Sequence, residues 1–414
     1  MLMQRKRVLI VGWKRPLPAK AKALGVEVWY AQRACLYQPN VADVCDMIVL
    51  CDYTDQDTFV DLVADLHRVR PFDAVVAIAE DALLSAAAVV DRLGLRGPSA
   101  ATVRLLTDKW SMRRRLAEAG VSPVAAAIGS GVDDLRAFGE SAGYPFIAKP
   151  IAGAGSFGVS KVEGVGDVER AYERLGGATR FLMEEFLVGP EISVESFSFG
   201  GEHVVLSLTD KLVGGHFIEA GHQVPAAVDP VVHDQVVDLV HRFLDAVGLA
   251  DGPSHVEVKL TPAGPRVVEG HNRRGGDRIN ELVEAAYGID METLTVGWAL
   301  GLVEPLTESP TPIQGAAIRF LSAEPGEVVE VRGAENPPLP GVESVQVSVS
   351  AGGRVNPPEW SDDRPGYVIA VGETAAAAAR TCEEAAARIM IVTRPGDAGP
   401  ATARGVDQSA LLGY

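Results

Sequence analysis

The chain has 414 residues, 47% of them apolar and 22% charged, and a formal net charge of −17. That length exceeds one ordinary compact domain and predicts two or three. The acidic balance excludes a nucleic-acid surface and an anionic membrane surface as partners, while leaving room for a nucleotide in a local basic pocket. Cys35, Cys45, Cys51 and Cys382 show no CxxC spacing and read as free thiols in a reducing cytoplasm. No stretch approaches the about 20 apolar residues of a membrane span. The basic Met1–Arg7 and apolar Val8–Trp13 lack the length and cleavage site of a signal peptide.

In chain order, Arg7–Gly12, Met47–Leu50 and Asp73–Ile78 are short apolar runs that read as strands, with helical patterns at about Asp55–Val69 and Asp81–Leu93. This alternation predicts a parallel sheet with helices on its faces, ending near Gly97-Pro98. A helix capped by Thr107 or Asp108 stops at Gly120. Val132–Ala142 reads as a helix, Tyr144–Lys149 as a strand, Ala152–Gly158 as a flexible loop and Val159–Glu163 as a strand. Asp167–Leu175 follows as a helix and Phe181–Leu187 as a strand. Ile192–Phe199 and His203–Leu208 form a predicted hairpin about Gly200-Gly201, and a long amphipathic helix spans roughly Val231–Val247. The stretch Pro312–Val392 mixes short strands with an Ala-rich helix, Thr374–Met390, and a disordered tail is expected from Thr393.

Three segments carry chemistry. In His255–Leu260, Val256, Val258 and Leu260 alternate with Glu257 and Lys259, the period of a strand with one apolar face. Thr261–Pro265 turns the chain, and a second β-branched run delivers Glu269. Paired strands bring Glu257 and Glu269 together, and a hard divalent cation relieves their repulsion. Arg273 and Arg274 follow as charge for phosphate or carboxylate oxygens. Second, Lys149 ends a strand just before a glycine-rich loop holding Gly153, Gly155, Ser156 and Gly158. The spacing fits neither GxxxxGK[ST] nor GxGxxG; a strand on each side makes it a hairpin cover for a polyphosphate. Lys109 opens a helix against the dipole, which marks it as a second phosphate candidate. Third, Glu184-Glu185-Phe186-Leu187 precedes a turn and can offer backbone groups to an adenine edge, with Glu191 accepting from ribose hydroxyls.

The order of these pieces resembles the ATP-grasp superfamily over about residues 1–392, most specifically over Lys109–Asp277. The resemblance implies an α/β ATP-grasp fold: an N-terminal α/β domain (1–98), a connecting helix (99–124), a lid subdomain (125–190), a catalytic core (191–305), a C-terminal α+β subdomain (306–392) and a tail (393–414). It implies ATP with Mg²⁺ or Mn²⁺, Lys109 and Lys149 on phosphates, Gly153–Gly158 as lid, Glu184–Leu187 as adenine linker and Glu191 on ribose. Glu257 and Glu269 would bind metal, and Arg273 would clamp the transferred phosphate. The usual Glu-x-Asn-x-Arg pattern here reads Glu269-Gly270-His271-Asn272-Arg273. Imidazole is a poor partner for Mg²⁺, so the site lacks that ligand, Asn272 replaces it, or His271 meets substrate; Asn272 is taken as the metal candidate.

The run Arg273-Arg274-Gly275-Gly276-Asp277-Arg278-Ile279, with Asp210-Lys211-Leu212 and Phe217–Pro225, is similar to the L-amino-acid ligase (dipeptide synthetase) branch. That likeness implies that Glu219 and His222 line the substrate site with Gly275 and Gly276, that Glu80 meets a substrate amine, and that homodimers form, as is frequent in the family. The expected reaction is ATP-dependent ligation of a small-molecule carboxylate to an amine through an acyl phosphate, with Lys149, Arg273, Glu219 and His222 as catalytic candidates. Transfer to a carrier protein and a non-ligating nucleotide-binding regulator are the alternatives; purine-biosynthesis and biotin-carboxylase-type ligases fit the Glu269–Ile279 run less well.

Overall fold

The computed structural model describes residues 5–12, 16–152, 158–214, 218–335, 339–358 and 360–395. The first layer is a four-stranded parallel sheet in the order Met47–Leu50, Glu27–Gln32, Arg7–Val11 and Ala74–Ala77. Every residue of Arg7–Val11 is buried, as expected of a strand covered on both faces. Helix Gln56–Val69 starts where the Asp55 carboxylate accepts from the Thr58 amide, and helix Leu83–Leu93 ends at Gly94 in the left-handed conformation.

A small antiparallel sheet follows, in the order Ala126–Gly129, Phe181–Glu185, Phe146–Pro150 and Ser160–Val162. The long sheet has eight strands: Gly264–His271, Asp251–Thr261, Glu191–Phe199, Glu202–Val213, Glu219–Val224, Gly315–Phe320, Gly366–Gly372 and Val342–Val347. It runs without a break from residue 191 to 372, so the expected division at residue 305 cuts through one sheet. A three-stranded sheet, Arg354–Val355, Gly326–Arg332 and Met390–Arg394, closes the described chain. The last strand corrects two expectations. The Ala-rich helix stops at Ala386 rather than Met390, and Thr393 lies in a paired strand, where Val328 is its partner, rather than in a tail. Residues 396–414, where the rest of the tail was expected, lie outside the described residues, as do Gly153, Gly155 and Ser156.

Helix Pro230–Val247 is capped by Asp229 and ended by left-handed Gly248, and it backs the first strands of the long sheet. Val236, Leu239, Val240, Phe243 and Leu244 pack there on Val194, Val256, Val258 and Val267. Strand alternation turns Glu257, Lys259, Glu269 and His271 to the other face. Gly270 faces the helix; a Cβ there would lie 2.4 Å from the Phe243 ring. Among the described residues the four cysteines are free, and no helix is long and apolar enough to cross a membrane.

The Gly270 contact gives a first prediction. Gly270→Ala should destabilise the chain by about 1–3 kcal/mol through overpacking, and part of that should return in a Phe243→Leu background. Equilibrium urea unfolding of the single and double variants measures both; independent, additive losses would show that the two groups do not clash.

Candidate active site

Glu257 and Glu269 are direct partners across the antiparallel pair Asp251–Thr261 and Gly264–His271. The ladder slips immediately beyond them, since Val258 pairs with Val267 and leaves Val268 as an extra residue. Such a bulge twists the strand locally and re-aims neighbouring side chains. Both carboxylates face one cleft, where Lys211 Nζ lies 2.5 Å from Glu257 and Lys109 Nζ lies 3.0 Å from Glu269. Burial disfavours the ionised form of each. The Lys211 ammonium nevertheless holds Glu257 below the ordinary carboxylate range, and Lys109 with His271 does the same for Glu269. Lys211 also reaches Glu191 at 2.7 Å and Glu219 at 3.4 Å, so its pKa is raised well above normal despite burial.

The cleft runs between the small sheet and the long sheet and is open to solvent. Lys109, Lys149, Glu184, Glu185, Phe186, Leu187, Glu191, Glu219, Glu257 and Glu269 all line it, so the structure gathers most of the nucleotide candidates into one place. Lys109 sits in the first turn because Asp108 caps its helix, accepting from the Ser111 amide at 2.6 Å. Lys149 Nζ is 2.6 Å from Glu184, whose other oxygen takes the Arg113 guanidinium. Glu184 and Glu185 therefore end the strand Phe181–Glu185, and the Glu184 side chain is spent on two cations rather than on a base. Gly158 closes the described part of the expected lid with φ +72°, a conformation that favours glycine.

The substrate candidates fall into several small clusters, of which Glu219 lines the cleft itself. Glu80 follows the last strand of the parallel sheet, and its carboxylate takes the Arg273 Nε–H and faces His271 Nδ1 at 3.7 Å. Burial works against its ionisation, but Arg273 and His271 hold it well below the usual range. Glu219 accepts from the Ser361 hydroxyl. His222 lies edge-on to Phe320, and its Nε2 is 3.2 Å from Asp277, which also receives two N–H bonds from Arg364 at 2.6 and 2.9 Å. The His222 Nδ1 has no hydrogen-bond partner among the described residues. Gly275 lets the chain pass close to His255 and gives its N–H to Glu195; a Cβ would lie 2.9 Å from His255 Nδ1. The Gly276 carbonyl accepts from the Ile279 amide at the start of the next helix.

Asn272 corrects the metal expectation. Glu269 lines the cleft, whereas Asn272, just past the end of the strand at His271, lines a separate apolar cavity with Val76, Ala87 and Trp298. Both of its amide atoms are buried without a partner among the described residues. Two cleft neighbours received no role from the sequence: Lys211 entered only as part of the family-like run Asp210-Lys211-Leu212, and Arg113 carried no signal, because its partners Glu184, Val267 and Val268 are distant in sequence.

With that geometry in place, comparison with known proteins is informative. Residues 19–97 match the ATP-grasp N-terminal domain, 142–281 the ATP-grasp domain and 319–394 the L-amino acid ligase C-terminal domain 2. The L-arginine-specific L-amino acid ligase of Bacillus subtilis is 26% identical over 69% of this chain and 73% of its own length. Carnosine synthase 1 of Gallus gallus is 30% identical over 63% of this chain, which spans only 30% of that longer protein. A crystal structure of an L-amino acid ligase from Bacillus licheniformis superposes with a TM-score of 0.82 at 23% identity, covering 94% of this chain and 99% of the other. The superposition gives the ATP-grasp fold, and the domain matches and curated relatives make the chain an ATP-dependent ligase. The chain belongs to the ATP-grasp superfamily, in the branch that carries the L-amino acid ligase C-terminal domain.

The Asp277 cluster yields a prediction about pH. Burial pushes the Asp277 pKa up, but hydrogen bonds from Arg364 and His222 overcome it and leave it below normal. A depressed folded-state pKa stabilises fully above the unfolded value of roughly 3.9 and is lost as pH falls below that. Asp277→Asn should therefore lower stability at pH 7 and flatten its decline below about pH 4. Unfolding curves across pH check this; equal acid slopes in parent and variant would dissociate Asp277 from the effect.

Proposed function

We propose that the chain joins a small carboxylate, an amino acid or a related metabolite precursor, to an amine, by way of an acyl phosphate and with release of ADP and phosphate. The observation that carries this reading is the cross-strand pair Glu257–Glu269 facing a cleft lined by Lys109, Lys149 and Lys211. Two buried ionised carboxylates on directly paired residues of adjacent strands suit a hard divalent cation, and the surrounding cations suit a polyphosphate. Glu257 and Glu269 would hold that cation, which when bound screens phosphate charge and orients the phosphoryl group.

A carboxylate resists attack because its charge is delocalised and its leaving group would be oxide. Transfer of the γ-phosphoryl group to a carboxylate oxygen, with ADP leaving, removes both obstacles. The amine nitrogen then attacks the acyl carbon, and phosphate departs with the former carboxylate oxygen. Lys109 and Lys149 orient the triphosphate, while the backbone at Glu185–Leu187 meets the base and Glu191 the ribose. Arg273, held by Glu80 against the metal carboxylates, balances charge as the phosphoryl group moves. His222 is arranged as the proton acceptor. Its Nε2 is turned to the Asp277 carboxylate, and its Nδ1 is buried without a partner among the described residues, so a substrate amine would have to open a path to that nitrogen. Glu219, in the same strand, lies between Lys211 and Ser361 and is placed to bind the amine substrate.

Phosphate release from Mg²⁺-ATP should require a carboxylate and an amine together, and a screen of paired free amino acids tests it. ADP formed only with a carrier protein would favour carrier loading, and nucleotide binding with no ADP would favour a regulator. Glu257→Gln should lower turnover by roughly 10²–10³-fold while the far-ultraviolet circular dichroism stays that of the parent. His222→Gln should slow amide formation by roughly 10²–10⁴-fold with the apparent KM for ATP preserved. Full amide formation by that variant would remove His222 from the mechanism.

A further inference from the structure

Glu219 and His222 share one strand, and residues 361–364 reach both, one directly and one through Asp277. Those four residues lie within the stretch that matches the L-amino acid ligase C-terminal domain 2. Ser361 Oγ donates to the Glu219 carboxylate at 3.2 Å. Arg364 Nη1 donates to the Glu219 backbone carbonyl at 3.3 Å, and Arg364 Nε donates to the Ser361 carbonyl at 2.6 Å. The same guanidinium donates to both Asp277 oxygens, and Asp277 stands 3.2 Å from His222 Nε2. Its central carbon lies 3.6 Å from the centre of the Phe320 ring, and Phe320 is edge-on to His222. One planar cation thus joins the strand Glu219–Val224, the strand Gly315–Phe320 and the loop that carries Gly275 and Asp277.

We propose that Arg364 is a positioning residue for the amine-binding end of the site, fixing Glu219 through its main chain and Ser361, and His222 through Asp277. The inference rests on the ligation reading above and adds a residue to it. A guanidinium suits the task because it gives hydrogen bonds in several in-plane directions while its face stacks on an aromatic ring. An ammonium is a compact point charge that cannot do both. The Arg364 and Asp277 side chains are only 11% and 10% exposed, so solvent and salt screen their contact little. Among the described residues that line the nucleotide cleft, Glu219 is present and Arg364 is not. Arg364 lines a separate groove with Asp277, Ser361 and Tyr367. Its loss is therefore felt by the amine and the acyl transfer, and not by ATP.

The test measures amide formation by the full chain with Mg²⁺-ATP and an amino-acid pair that the parent joins. Arg364→Ala should lower kcat by about 10²-fold and raise the apparent KM for the amine by about tenfold, with the apparent KM for ATP unchanged. Guanidinium chloride at millimolar, non-denaturing concentration should restore part of the rate, because the free ion can stack on Phe320 and bond Asp277. Sodium chloride at the same concentration should not. Arg364→Lys keeps the charge and should still lose kcat; it carries the test if the alanine variant does not fold. Adding Asp277→Asn to either variant should cost less than it does in the parent, since both residues act on His222 by one route. A parent-like kcat in the Arg364 variants overturns the proposal and leaves the ligation reading standing. So does a loss that falls equally on ATP and amine and that guanidinium does not relieve. A parent chain that binds ATP and joins no pair overturns both.

Discussion

Two carboxylates held on facing positions of adjacent strands set the terms for everything around them. Unit charges about 5 Å apart repel by about 3 kcal/mol at an effective dielectric near 20, and both groups are buried as well. The chain answers with cations at short range. Lys211 is placed among Glu257, Glu191 and Glu219, and Lys109 among Glu269 and its neighbours. These pairs keep Glu257 and Glu269 ionised, which is the state a metal needs. The same cations are then available to phosphate oxygens. On the proposed reading, stability of the cleft and affinity for a polyphosphate would rest on one set of interactions.

Holding like charges together also demands a stiff platform. The helix Pro230–Val247 supplies it by packing Phe243 and its neighbours onto the reverse of the strands that carry Glu257 and Glu269. Gly270 is the point of closest approach, and the bulge at Val268 sits one residue before Glu269. A side chain added at Gly270 would push on the strand carrying both Glu269 and His271. The apolar face is therefore part of the site's geometry, although none of its residues touches a ligand.

Period-two alternation made the carboxylate pair legible in the sequence, because Val256 and Val258 declare one face of a strand and leave Glu257 the other. Local turn chemistry likewise gave the hairpin at Thr261–Pro265 and the helix start at Asp108. The same alternation keeps His271 beside Glu269, while Asn272 lies past the end of the strand and faces a separate cavity, so a motif read by residue type alone misplaced the asparagine. Strand Glu27–Gln32 passed unmarked, and the single connecting helix expected over 99–124 is two helices, Ala100–Thr107 and Lys109–Glu118, broken at Asp108. Arg113 was invisible because what recruits it is a pair of carbonyls at the bulge, Val267 and Val268, that exist only once the strand has slipped. The continuity of the long sheet into Gly366–Gly372 and Val342–Val347 was hidden for the same reason, since pairing is a property of the assembled sheet.

The charge of the whole chain and the charge of the cleft are separate quantities. A net −17 describes the long-range field and disfavours extended polyanions. Within the cleft, five cations and six carboxylates stand among the lining residues, interleaved at hydrogen-bond distance. Ion pairs so close cancel beyond a few ångströms, so an acidic surface and a cation-lined cleft coexist without conflict. Selectivity then comes from which partners exchange. A divalent ion entering between Glu257 and Glu269 would take over the neutralising role of Lys211 and Lys109, and would free those ammonium groups for phosphate. Binding of metal and of nucleotide would be coupled through the lysines alone, with no movement of the strands required.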